Sequence, residues 1–216
     1  MSNMVKVWGP LVRIFHWSLV LFFVIAYITG EEESSLHIEA GYVVLGLISF
    51  RFIWGLIGPE YARFSQFVYR PTVVLAYFKS LFSRSPKHYL GHNPLGGWMV
   101  IALLLMLFIV SFSGLKLYAL EEGKGPLAQN IELISTAYAD RDEDKTKYRE
   151  KEYDEDESEK SESDEDDAEE FWEEIHEAST ELLLLLIFVH IAGVFMSSLL
   201  HGENLVRAMI SGKKKK

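Results

Sequence analysis

His176-Glu-Ala-Ser-Thr-Glu-Leu-Leu-Leu-Leu-Leu-Ile-Phe-Val-His190-Ile-Ala-Gly-Val-Phe195 is the stretch on which the fold turns. It reads as one long apolar helix with an imidazole at each of two levels. At ~1.5 Å of rise per residue the step from His176 to His190 spans ~21 Å, and the accumulated rotation returns both side chains to nearly one face. A single helix thus offers two ligands at two depths of a membrane. An ionisable group flanked by Leu183–Val189 and Ile191–Val194 is costly in lipid, which makes His190 a functional candidate rather than a filler.

Working outward, four segments are long enough to cross ~30 Å of hydrocarbon as helices. They run from Leu11 to Gly30, His37 to Gly58, Leu95 to Leu117 and Ile175 to Leu200, each closed by Gly, Pro or Asn-Pro punctuation. The expected fold is all-α and integral to the membrane: a four-transmembrane-helix antiparallel bundle binding two b haems. No small-residue cleavage site follows the first span, so it reads as a retained anchor. Residues 1–138 and 171–212 form the expected membrane domain, 139–170 an acidic outer loop expected as disordered coil, and 213–216 a basic cytoplasmic tail.

Charge location resolves an apparent conflict in composition. The chain has 216 residues, is 49% hydrophobic, and still carries a net charge of −10. Residues 139–174 alone hold 20 acids against 6 bases, so the remainder is slightly basic. Arg63, Arg70, Lys79, Arg84 and Lys87 in the second loop, the Lys213–Lys216 run, and Lys6 with Arg13 place both termini on the cytoplasmic side of the inner membrane. Phe64, Phe67, Val68, Tyr77 and Phe78 among those cations read as a short helix lying on the lipid surface. Nothing in the chain reads as a nucleic-acid-binding surface.

The depths of four histidines then match in pairs. His16 and His190 lie towards the cytoplasm, and His37 and His176 towards the outside. A bis-histidine iron site needs two neutral imidazoles facing across a flat macrocycle, so the pairs serve as axial ligands of two haem irons. The absence of cysteine removes thioether attachment, thiolate ligands and iron–sulfur clusters, leaving non-covalent haem b. Arg51, fourteen residues after His37, is placed to pair with a propionate of the inner haem. Arg13 reads instead as snorkelling to lipid phosphate. Gly41 and Gly193, one turn from His37 and His190, admit either a close macrocycle or close helix packing. His88, His92 and His201 read as surface histidines, with His201 near enough to the inner side to join a quinone pocket or proton path. The i, i+4 spacing of His88 and His92 is discounted as a metal site, because Gly91 and Pro94 disfavour a helix and no carboxylate cluster accompanies it.

Trp8-Gly-Pro-Leu-Val-Arg-Ile-Phe-His16-Trp, His37-Ile-Glu-Ala-Gly-Tyr, Phe50-Arg-Phe-Ile-Trp-Gly-Leu-Ile-Gly-Pro59, Tyr89-Leu-Gly-His-Asn-Pro-Leu-Gly-Gly97 and Leu200-His-Gly-Glu-Asn-Leu-Val-Arg-Ala-Met-Ile210 carry a specific likeness. In these motifs the chain resembles the bacterial cytochrome b561 and nickel-iron hydrogenase b-type cytochrome family across all four spans. The resemblance implies a di-haem electron-transfer subunit in which His16, His37, His176 and His190 are axial ligands. It implies electron exchange between a periplasmic redox protein, a hydrogenase or a basic c-type cytochrome, and the quinone pool of a respiratory chain. Quinone would be a mobile substrate, and no residue is assigned a catalytic role.

The third loop departs from the family pattern. Its run of Asp, Glu and Ser is either a self-repelling spacer or a docking tether for a basic partner. Two other functions compete. One is a stand-alone oxidoreductase of quinol or of superoxide and quinone; the other is a haem-free transporter or scaffold whose histidines bind a metal or protons.

Overall fold

Pro10 occupies the first turn of helix α1, Pro10–Thr29, where its missing N–H leaves no intrahelical hydrogen bond unmade. The computed structural model describes residues 4–30, 34–82, 87–128 and 154–215. Helix α2, Ser35–Ile57, starts at Ser34, whose hydroxyl accepts from the His37 amide at 3.4 Å. A shorter helix α3 covers Pro71–Phe82, and α4 covers Pro94–Glu121. Asn93 caps α4 by accepting from the Gly96 amide at 2.7 Å, immediately before a proline at the first helical position. Helix α5 runs Asp154–His201, and α6 runs Leu205–Ser211 between an Asn204 cap and Gly212 in the left-handed region.

Four of these helices are long and apolar enough to cross a membrane: Pro10–Thr29, Ser35–Ile57, Pro94–Glu121 and Asp166–His201. Leu199 is 83% exposed and Phe188 71%, a distribution tolerable only where the surrounding solvent is itself apolar. The chain is an all-α membrane protein. Observed spans agree with the expected ones within a few residues except in the fourth. The acidic stretch expected as disordered coil over 139–170 falls in two parts. Its portion up to residue 153 lies outside the described residues, as do residues 129–138, whereas from Asp154 the backbone is already helical. Extending an existing helix adds one hydrogen bond per residue without a new nucleus, and Glu is a good helix former.

The described chain divides into two compact units, Met1–Phe108 with Glu181–Lys216, and Ile109–Thr180. In the first unit α1 packs against α2. The buried residues of α2 are Ala40, Val44, Ile48, Arg51 and Gly55, spaced three or four apart along one face. At the end of this unit where the chain termini meet, β1, Met4–Lys6, pairs antiparallel with β2, Lys213–Lys215. The expected free lysine tail is therefore half of a small sheet. Val7, Trp8, Val12 and Ala62 form a core beneath it, with Trp54, Tyr61 and Met209 packed alongside. The following text calls this the sheet end.

Gly97 sits at a point of close approach: a Cβ there would collide with the backbone carbonyl of Phe67, a residue only 2% exposed. Backbone cannot swing aside as a side chain can. Gly97→Ala should therefore cost about 1–3 kcal/mol of stability, read as a lower thermal midpoint of the detergent-solubilised protein. Gly46→Ala, where a Cβ meets nothing within 4 Å, should leave that midpoint unchanged or raise it.

Candidate haem-binding site

The predicted outer histidines are each oriented by a backbone carbonyl. His37 Nδ1 lies 2.8 Å from the Ala26 carbonyl of the preceding helix, and Gly30 borders the ring, where a Cβ would stand in ordinary contact 3.4 Å from His37 Cε1. Within the second unit, His176 Nδ1 lies 3.1 Å from the Val110 carbonyl and 3.0 Å from Ser113 Oγ. Ser113 itself donates to Val110 O at 3.0 Å, leaving its oxygen to accept from the imidazole. Gly114 faces the same ring, with a prospective Cβ 3.1 Å from His176 Cε1. A carbonyl can only accept, so Nδ1 carries the hydrogen in both residues. Nε2 then bears the lone pair, which is the tautomer of an axial ligand. His37 and His176 belong to different units, and each stands here on its own surroundings.

His16 on α1 and His190 on α5 come together within the first unit, close enough to interact electrostatically. His16 Nδ1 is buried without a hydrogen-bond partner, and its ring meets Trp17 edge-on at 5.2 Å. Arg51, on the buried face of α2, is 3% exposed; its Cζ lies 4.9 Å from the Phe64 ring centre and 5.8 Å from that of Phe67. Aromatic faces support the cation without satisfying its N–H groups, and Nη1 has no hydrogen-bond partner. Arg51 therefore points inward, as the propionate assignment requires, and does not snorkel. Arg13 departs from expectation too, because its Nη1 donates to the Ile210 carbonyl of α6 instead of reaching for lipid.

His92 corrects the reading of it as a surface residue. Its ring packs between Trp8, at 4.7 Å, and Phe67, at 4.5 Å, and its Nδ1 is sealed from solvent without a partner. Burial pushes the His92 pKa down to about 3, with Arg51, Lys214 and His190 adding repulsion. His92 thus sits among the inner residues. Its one signal in the sequence was a place in the Tyr89–Gly97 motif; periodicity could not reveal it because the covering rings come from residues 8 and 67. The His88 and His201 rings meet at 5.3 Å, tilted by 43°, and His88 Nε2 lies 3.0 Å from Glu203 Oε1.

The chemistry of the inner cluster fits a haem. Two imidazoles would supply iron ligands, and the unpaired N–H of Arg51, with Arg13 Nε and Trp54 Nε1 also buried without partners, would supply donors for carboxylates. Buried donors in this number are costly unless an acceptor occupies the space between them. Gly193, one turn from His190, adds room, since a Cβ there meets nothing within 4 Å, and the same holds for Gly41 one turn from His37. Close helix packing is not what keeps those positions small.

Comparison with known proteins agrees with this chemistry. The chain matches the family described as prokaryotic cytochrome b561 over residues 7–212. It is 27% identical over 158 residues to a probable Ni/Fe-hydrogenase B-type cytochrome subunit of Azotobacter chroococcum mcd 1, an alignment covering 59% of this chain and 65% of that relative. The chain thus spans about two thirds of the length of the curated relative it matches. No solved structure matches it. With the match running from Val7, just after β1, to the glycine that ends α6, the chain belongs to the prokaryotic cytochrome b561 family.

Proposed function

We propose that this b-type cytochrome holds two haem b groups and carries electrons across the inner membrane between a redox protein outside and the quinone pool. The observations that carry the reading are the meeting of His16 and His190 and, on α2, a buried, incompletely paired Arg51 that shares the His92 ring as a neighbour with His190. His16 and His190 hold the inner haem. By their depths in the sequence, His37 and His176 are the second pair. Haem b, when bound, supplies a one-electron iron couple whose potential responds to axial ligands, burial and nearby charge.

The protein's own residues do the rest. Ala26, Val110 and Ser113 fix the Nδ1–H tautomers of His37 and His176, keeping Nε2 directed to a metal. Arg51 would offer its remaining N–H groups to a propionate and add positive charge to the inner site. Phe64, Phe67 and Trp54 exclude water from that side. The sheet end faces the cytoplasm, because the second loop and the chain termini concentrate Lys and Arg there. The relative's printed name favours a nickel-iron hydrogenase as the outer partner. The acidic stretch ahead of α5 would raise the encounter rate of any basic carrier.

A reduced-minus-oxidised spectrum of the purified protein should show a b-type α-band and about two haems per chain. His190→Ala should lower the ratio to about one, and retention of both haems would refute the ligand assignment. Arg51→Gln should keep both haems but lower the potential of the inner one by on the order of tens of millivolts, since a lost cation favours ferric iron. Potentiometric titration reads that shift.

A further inference from the structure

Glu203 sits in the turn between α5 and α6, a place where a carboxylate would ordinarily point into water. Instead its side chain is 8% exposed and bridges two cations or potential cations. Oε1 lies 3.0 Å from His88 Nε2, and Oε2 lies 3.6 Å from Lys214 Nζ. The burial is graded along this line, from a His88 side chain 38% exposed to a Lys214 side chain 6% exposed. Lys214 also donates to the Tyr89 carbonyl at 3.2 Å, which fixes its ammonium on the inner side of the sheet. The His92 ring is within electrostatic reach of Lys214, and of Arg51 and His190 as well.

We propose that His88, Glu203 and Lys214 form a proton path from water at the sheet end to the inner site, supplying the protons taken up when a quinone is reduced there. The inference rests on the proposed reduction of quinone and adds a route for its protons. Reducing one quinone to quinol consumes two electrons and two protons, and both carbonyl oxygens become hydroxyls. The electrons come from the outer redox partner; the protons must come from water. Lys214 gives a proton inward from Nζ, and Glu203 replaces it from a carboxyl proton received from His88. His88 recovers its own from solvent. Two such cycles balance one quinol.

Each group suits its step. His88, whose ring can take a proton on one nitrogen and give one from the other, is the member that touches water. Glu203 has a hydrogen-bonded contact on one side and an ion pair on the other, so one carboxylate serves both neighbours. Burial pushes Lys214 below its ordinary ammonium range while Glu203 opposes that fall, which makes its proton easier to release than that of an exposed lysine. The His201 ring meets that of His88 at 5.3 Å with a 43° tilt, and Lys87 lies over Tyr89 at 5.6 Å, so both stand at the entrance.

The test uses the full-length, haem-loaded protein reduced by dithionite and reoxidised by a short-chain quinone in stopped flow. Glu203→Gln should slow quinone-driven reoxidation by on the order of 10- to 100-fold, with haem content and potentials unchanged and a larger rate ratio in light over heavy water. Glu203→Asp should recover part of the rate. Because Glu203 also ties β2 to the turn, the more exposed His88→Ala is the second variant. It should be slow and be rescued by added imidazole, which a merely structural histidine would not be. Independently of turnover, a redox-induced infrared difference spectrum should contain a carboxyl band that Glu203→Gln abolishes. Unchanged reoxidation in both variants, or His88→Ala slow but indifferent to imidazole, would overturn the path. Wild-type haem that quinone does not reoxidise at all would instead overturn the quinone reading beneath it.

Discussion

A polar group that finds no partner in hydrocarbon costs several kcal/mol, and water is not there to lower the cost. That constraint governs every informative residue of this protein. Backbone groups meet it by forming helices. Hydroxyls meet it by bonding back to the preceding turn, as Ser49 does to Leu45 O at 2.9 Å and Ser198 to Val194 O at 2.8 Å. The histidines cannot meet it that way with both ring nitrogens, so each leaves one nitrogen for something other than its own helix.

The four histidines settle this in two manners. His37 and His176 give Nδ1 to a carbonyl on a neighbouring helix, at 2.8 and 3.1 Å. Their rings are thereby fixed before any ligand arrives, which lowers the ordering cost of binding. His16 instead has a sealed, unpartnered Nδ1, in a cluster that also leaves Arg51 Nη1 and His92 Nδ1 unpartnered. Arg51 lies on the same buried stripe as Ala40, Val44 and Ile48, so turning it outward would require rotating the whole of α2. The inner cluster thus leaves ring and guanidinium nitrogens without a protein partner, whereas the other two histidines bond to carbonyls.

The spans were legible in the sequence because they are a local property. Length, hydropathy and helix rise are counted along one segment, and they give the level of His16, His37, His176, His190 and Arg51 on their helices without knowledge of any neighbour. What escaped the sequence was contact between distant segments. His92 is covered by rings from residues 8 and 67, and Lys214 is buried by a strand pairing with residues at the other end of the chain. No periodicity records such pairings. The acidic stretch failed for a different reason: composition judges a segment in isolation, while residues from Asp154 onward continue a helix already nucleated by the membrane span.

The sheet end shows how one charge pattern can serve two purposes. A run of lysines near a membrane attracts anionic lipid, and that field orients the chain whichever side chains supply it. Orientation alone would leave every lysine of the run in water. Pairing with β1 turns alternate residues to opposite faces, so Lys213 stays exposed while Lys214 is carried inward to Glu203. The Gly212 amide and carbonyl close the same corner, the carbonyl accepting from Val7 at 2.9 Å and from Trp8 at 3.1 Å. Through Trp8 that corner reaches the His92 ring, and through the C-terminal turn of α6 it reaches Arg13. The termini thus wall off the inner cluster from water while leaving His88, partly exposed at the edge, in contact with it.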